Sequence, residues 1–89
     1  AEQIASRFLA KRFAAQEAFA KAWGTGIGAA LSFHDLTVTH DERGRPEWRF
    51  AERFAARFAA RGAVRAHLSL SDELDHALAF VVIEGVSRG

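Results

Sequence analysis

From Arg12 to Gly28 the chain reads Arg-Phe-Ala-Ala-Gln-Glu-Ala-Phe-Ala-Lys-Ala-Trp-Gly-Thr-Gly-Ile-Gly, an apolar helix that carries charge into its last turns and then breaks on Gly24, Gly26 and Gly28. Ala, Phe, Lys and Glu run upstream of it, so the composition predicts one long helix from Ala1 to Trp23, stopped by Gly24. At about 100° per residue, Arg7, Lys11, Glu17 and Lys21 fall on one polar stripe and Arg12 and Gln16 on a second, narrower one. A plain surface helix shows a single polar face. Two stripes imply a helix packed on more than one side, with its charges directed into clefts or subunit seams.

Glu17 and Lys21 stand four residues apart, one turn along the same face. Two chemistries fit that spacing. One is a helix salt bridge worth a few tenths of a kcal/mol. The other is a carboxylate for a hard cation beside an ammonium that neutralises phosphate. Spacing does not choose between them. The glycine loop that follows lets backbone approach a ligand closely, and it equally suits an ordinary connection. No Gly-Lys-Ser/Thr follows these glycines, so the Walker pattern is absent.

Ser32 to His40 alternates apolar and polar residues and predicts a half-buried strand. Asp41-Glu-Arg-Gly-Arg-Pro46 is a turn holding the sole proline, and Glu47 to Phe50 begins a second strand, giving a hairpin. Arg43 and Arg45 at its tip are solvated or hold an anion. Glu52 to Arg61 predicts a second helix with Phe54, Ala55, Phe58 and Ala59 inward and Glu52, Arg53, Arg57 and Arg61 facing water, closed by Gly62. Ala66 to Ser71 is a third strand and Asp72 to Asp75 a tight turn. His76 to Glu84 is the last strand, read as the most buried, and Gly85 to Gly89 as a frayed end. The order helix, two strands, helix, two strands defines an α+β fold: a long helix, a mainly antiparallel sheet and a second covering helix.

Eighty-nine residues make one small domain spanning 1–89. Such a chain buries a limited core, and small domains often gain stability by assembling. Twelve Lys and Arg against eleven Asp and Glu give a net charge of +1, which argues against a nucleic-acid partner and leaves room for a local anion site. There is no Cys, which removes disulfides, thiolate metal sites and Cys nucleophiles. No apolar run approaches a membrane span, and the start lacks a signal-peptide core, so a cytoplasmic protein without a membrane partner is expected. The four His (34, 40, 67 and 76) have no helical i, i+4 pairing of the kind zinc sites use. Ser69 and Ser71 lie in an alternating strand, not at a nucleophile elbow.

Arg12 to Ile27 resembles the signature helix of holo-acyl-carrier-protein synthases, the small bacterial phosphopantetheinyl transferases, roughly R-F-A-x-K-E-A-x-x-K-A-x-G-T-G-I. Leu31-Ser-Phe-His-Asp-Leu36, Asp41 to Pro46, His67 to Glu73 and Ala77 to Glu84 are similar to later segments of that family, in order. The resemblance implies a phosphopantetheinyl transferase-like fold and transfer of 4′-phosphopantetheine from coenzyme A to a serine of acyl carrier protein. It implies Mg²⁺ as cofactor, adenosine 3′,5′-bisphosphate as the other product, and a homotrimer with sites in the subunit seams.

By the same resemblance Glu17 is the Mg²⁺-binding and catalytic carboxylate and Lys21 the lysine that offsets charge as the phosphodiester breaks. Arg12 and Phe13 match coenzyme A contacts, and Gly24 and Ile27 the loop beside the pantetheine and phosphates. Gly44, Arg45 and Pro46 match the turn beside the adenine, and Ser71 and Asp72 the turn near the 3′-phosphate. Asp72 repels phosphate where many members have His. Gln16 replaces the family's usual Lys, removing a cation next to Glu17. The family's N-terminal strand, whose Gly-x-Asp supplies a second Mg²⁺ ligand, is not among these residues. Besides the transferase, two readings therefore stand: a truncated or degenerate module that binds coenzyme A or acyl carrier protein without catalysis, and a purely structural oligomerisation domain.

Overall fold

The computed structural model describes residues 2–28, 30–73 and 76–85, with backbone alone for 2–8, 72, 73 and 76. Its elements are α1 (Glu2–Trp23), a 3-10 turn (Phe33–Asp35), β1 (Leu36–His40), β2 (Pro46–Phe50), α2 (Glu52–Ala60), β3 (Ala63–Glu73) and β4 (His76–Gly85). The strands form two antiparallel hairpins, β1 with β2 and β3 with β4. This is the α+β order expected. The tight turn predicted for Asp72 to Asp75 falls partly at 74 and 75, outside the described residues, as does the predicted fraying of 86–89. Backbone through Asp72 and Glu73 continues β3, and Gly85 ends β4.

α1 stops where the glycines say it should. Gly24 has φ +103°, open to glycine and strained for other residues, and its N–H donates to the Ala20 carbonyl at 3.0 Å. The Gly26 N–H shares that acceptor at 3.2 Å. α1 packs along β4 and β3 and also touches β1. Among its described side chains, Ala15, Phe19, Ala20 and Trp23 are buried in the core, whereas Leu9 and Phe13 stand out in solvent. The core closes around Phe19 with Trp23, Leu31, Leu36, Phe54 and Phe58.

Three readings of the sequence need correction. First, the strand begins at Leu36, not Ser32. The Asp35 carboxylate caps a 3-10 turn instead, accepting the Ser32 N–H at 2.9 Å while the Asp35 N–H donates to the Ser32 carbonyl at 3.0 Å. Second, the arginines of α2 do more than face water. Arg53 grips buried Asp35 through two 2.8 Å hydrogen bonds, Arg57 donates to the Ala30 carbonyl at 2.7 Å, and Arg61 caps α1 by donating to the Trp23 carbonyl at 2.9 Å. The Arg61 guanidinium also lies 4.0 Å over the Trp23 ring. Third, β4 is not wholly buried. Its apolar residues lie on both faces, and the outward face shows Phe80 67% and Val82 59% exposed. Only the other face, with Val81 and Ile83, packs on the core.

The Arg53 guanidinium beside Asp35, aided by the Ser32 N–H, holds the Asp35 carboxyl from its ordinary 3.8 down to about 2. Folding therefore favours the ionised form. The stabilisation is complete above about pH 4 and is lost as pH falls toward 2. Half of the Arg53 side chain faces water, so the contribution is about 1–2 kcal/mol. Asp35→Asn is expected to lower unfolding free energy by that amount at pH 7 and to flatten the stability profile between pH 4 and 2. Urea titrations of both proteins at several pH values measure this.

Candidate functional site

The middle of α1 carries the charges. Glu17 is half-buried and Lys21 exposed one turn later. Among the described residues neither forms an ion pair or side-chain hydrogen bond, with the other or with any third group. The helix salt bridge that the spacing permitted is not made. A carboxylate and an ammonium stand side by side on a helix face, both available to a ligand.

One turn earlier, Arg12 and Phe13 form one wall of an open groove whose other wall is Phe33, His34 and Thr37. The Phe13 and Phe33 rings face each other across it, 5.5 Å between centroids. Gln16 lies at its base, buried, donating its amide N–H groups to the carbonyls of Phe33 (3.2 Å) and Leu36 (3.0 Å). The side chain that replaces the family's usual lysine is thus a tie between α1 and the 3-10 turn, not a free group beside Glu17. Sequence reading missed the Phe33–His34 wall, because alternation hid the 3-10 turn that presents it.

In the glycine loop Ile27 packs, partly buried, against the core and anchors the segment below exposed Gly24. The turn Gly44–Pro46 lies elsewhere. Asp41 builds it, its carboxylate accepting the N–H groups of Arg43 (2.8 Å) and Arg45 (2.9 Å), while Gly44 takes φ +80°. Arg45 and Pro46 line a second groove that runs between the hairpins along β3 as far as Leu70. Ser71 is half-buried next to it in sequence, opposite Leu78. Asp72 pairs with Ala77 in the ladder, and its side chain lies outside the described residues. Of the sequence-derived residues, Arg12 and Phe13 line the groove on α1 and Arg45 and Pro46 the groove between the hairpins, while Glu17, Lys21, Gly24, Ile27, Gly44 and Ser71 line neither.

A hard cation has one carboxylate to use here. Among the described residues no cluster of three or more His, Asp or Glu side chains is placed to hold a metal. Glu17 fits as a single ligand of an ion that takes its other oxygens from phosphate and water, the pattern Mg²⁺ favours.

The same arrangement of elements occurs in solved proteins. Holo-acyl-carrier-protein synthase from Neisseria meningitidis superposes with a TM-score of 0.83 at 51% identity, over 86% of this chain and 62% of that one. The Helicobacter pylori synthase, solved in complex with coenzyme A, gives 0.79 at 28% identity over 89% of this chain and 66% of that one. The synthase of Alkalilimnicola ehrlichii is 56% identical over 80 residues, and that of Idiomarina loihiensis 52% over 77. These alignments take in 90% and 86% of this chain. The chain spans about three fifths of the length of these two relatives, 62% and 61%. The pattern of the 4′-phosphopantetheinyl transferase superfamily matches residues 1–81, and the chain belongs to that family.

Proposed function

We propose that this chain, as a single domain spanning 1–89, is the bulk of a cytoplasmic holo-acyl-carrier-protein synthase. Its reaction transfers 4′-phosphopantetheine from coenzyme A to a serine of acyl carrier protein. The observation that carries this reading is the pair Glu17 and Lys21: unpaired with each other or with any described side chain, and one turn apart on α1.

In the reaction the serine hydroxyl gives up its proton to water and its oxygen forms a bond to the phosphorus that bears pantetheine. The bond from that phosphorus to the rest of the pyrophosphate breaks, and adenosine 3′,5′-bisphosphate leaves. Little covalent work falls to the protein, so catalysis is positioning and charge neutralisation. Glu17 would hold Mg²⁺, which supplies positive charge to the pyrophosphate oxygens when bound. The Lys21 ammonium offsets the charge that grows on the leaving phosphate. Arg12 binds a phosphate of coenzyme A, and the exposed Phe13 ring covers its apolar arm. Gly24 and Ile27 edge the loop beside the pantetheine. In this reading Gly44, Arg45, Pro46, Ser71 and Asp72 contact the adenosine end, across a subunit seam.

The outward face of β3–β4 supports assembly as a homotrimer. Phe80, Val82 and Leu78 form an exposed apolar row there, of the kind that marks a surface covered by another molecule. The separation of Arg12 and Phe13 from Arg45 and Pro46 into two grooves also suits a site completed by a second copy. Phe80→Asp removes no core contact of the chain and is expected to convert trimers to monomers in sedimentation equilibrium. A wild-type protein that sediments as a monomer contradicts the assembly. Incubating the protein with coenzyme A and apo-acyl carrier protein tests the activity, by the mass gained on the carrier.

A further inference from the structure

We infer that Gln16 is a positioning residue for coenzyme A, setting the distance between the two walls of the α1 groove; this rests on the function proposed above. Gln16 is 6% exposed, and its amide donors are spent on backbone carbonyls that bracket the 3-10 turn, Phe33 on one side and Leu36 on the other. The turn is clamped from the opposite direction by the Arg53–Asp35 pair. Gln16 is therefore the tie on the α1 side, between the wall carrying Arg12 and Phe13 and the wall carrying Phe33, His34 and Thr37. The Phe33 ring, 5.5 Å from Phe13, follows wherever the turn is held. A buried carbonyl left without its donor is costly, so losing the amide moves the turn instead of leaving it in place. Glu17 is the next residue on the same helix, but it points to a different side of it, about 100° away. Groove width then controls how tightly coenzyme A is held and leaves the Glu17–Lys21 chemistry alone.

Gln16→Glu keeps size and replaces the donating amide nitrogen by a carboxylate oxygen facing two carbonyls. Gln16→Lys keeps a donor. Calorimetric titration of coenzyme A into the native gene product and both variants, at equal folded concentration, reads the effect. Gln16→Glu is expected to weaken coenzyme A binding at least about fivefold, with kcat at saturating coenzyme A within about twofold of wild type. Gln16→Lys is expected to retain wild-type affinity. A role in folding alone would lower the folded yield while leaving affinity and kcat per folded molecule unchanged, and that result overturns the proposal. Equal affinity in wild type and Gln16→Glu does so as well, without touching the proposed reaction. Absence of coenzyme A binding by the wild type overturns both.

Discussion

Replacing Glu17 by glutamine is expected to lower the transfer rate by at least about 10³-fold, because it removes the carboxylate proposed to hold Mg²⁺ beside Lys21. The amide has the same shape, so helix packing is kept. Glu17 makes no ion pair or side-chain hydrogen bond among the described residues, so nothing in the fold is broken by neutralising it. Thermal unfolding should stay close to wild type, as it does for substitutions outside the core. Coenzyme A affinity measured without Mg²⁺ should change little, and the gain in affinity on adding Mg²⁺ should disappear. Full activity in the Glu17→Gln enzyme would take the metal role away from this residue. Lys21→Ala is the companion case. It leaves the proposed metal ligand and removes the proposed countercharge, so kcat is expected to fall by about 10²-fold.

Phe19→Ala is expected to have the largest effect on stability. Phe19 is fully buried. The rings of Trp23, Trp48, Phe50, Phe54 and Phe58 lie around it at centroid distances of 5.0–6.4 Å. These partners come from α1, β2 and α2, so one side chain joins three elements in a single cluster. Emptying such a site costs about 3–5 kcal/mol. That is a large part of the roughly 5–15 kcal/mol that holds a domain folded, and the midpoint should drop by well over about 10 °C. Circular dichroism against temperature measures it. A loss below about 1 kcal/mol would mean that the aromatic cluster is not the centre of the fold.

The sequence is most readable where local chemistry decides the structure. Gly24 stops α1 at Trp23 as read, since no other residue enters the positive-φ region as easily. The Asp41–Pro46 turn was legible for the same reason: an Asp whose carboxylate reaches two backbone N–H groups and a Gly at φ +80° specify it within six residues. Long-range contacts were not legible. Asp35 reads as part of the first strand until Arg53, eighteen positions on, binds it. Arg53, Arg57 and Arg61 repeat every fourth residue, which reads as a solvated stripe, yet each guanidinium finds a partner outside α2. Gln16 suggested a lost charge and is instead a buried tie.

β4 misled in another way. Apolar residues on both faces of a strand signal burial on both sides. Within one chain only the Val81 and Ile83 side packs on the core, and Phe80 and Val82 are exposed. That Glu17 and Lys21 share one face of α1 is written in a four-residue spacing, whereas the separation of Arg12 and Phe13 from Arg45 and Pro46 into two grooves depends on how the hairpins pack.

The most direct measurement is transfer itself. The native gene product is mixed with coenzyme A, Mg²⁺ and apo-acyl carrier protein, and the carrier is weighed by mass spectrometry. The account predicts that the carrier gains one phosphopantetheine on its serine, that adenosine 3′,5′-bisphosphate appears in equal amount, and that the Glu17→Gln variant does neither. A carrier of unchanged mass, from a protein that nevertheless binds coenzyme A, would contradict it and leave a binding module in place of a synthase.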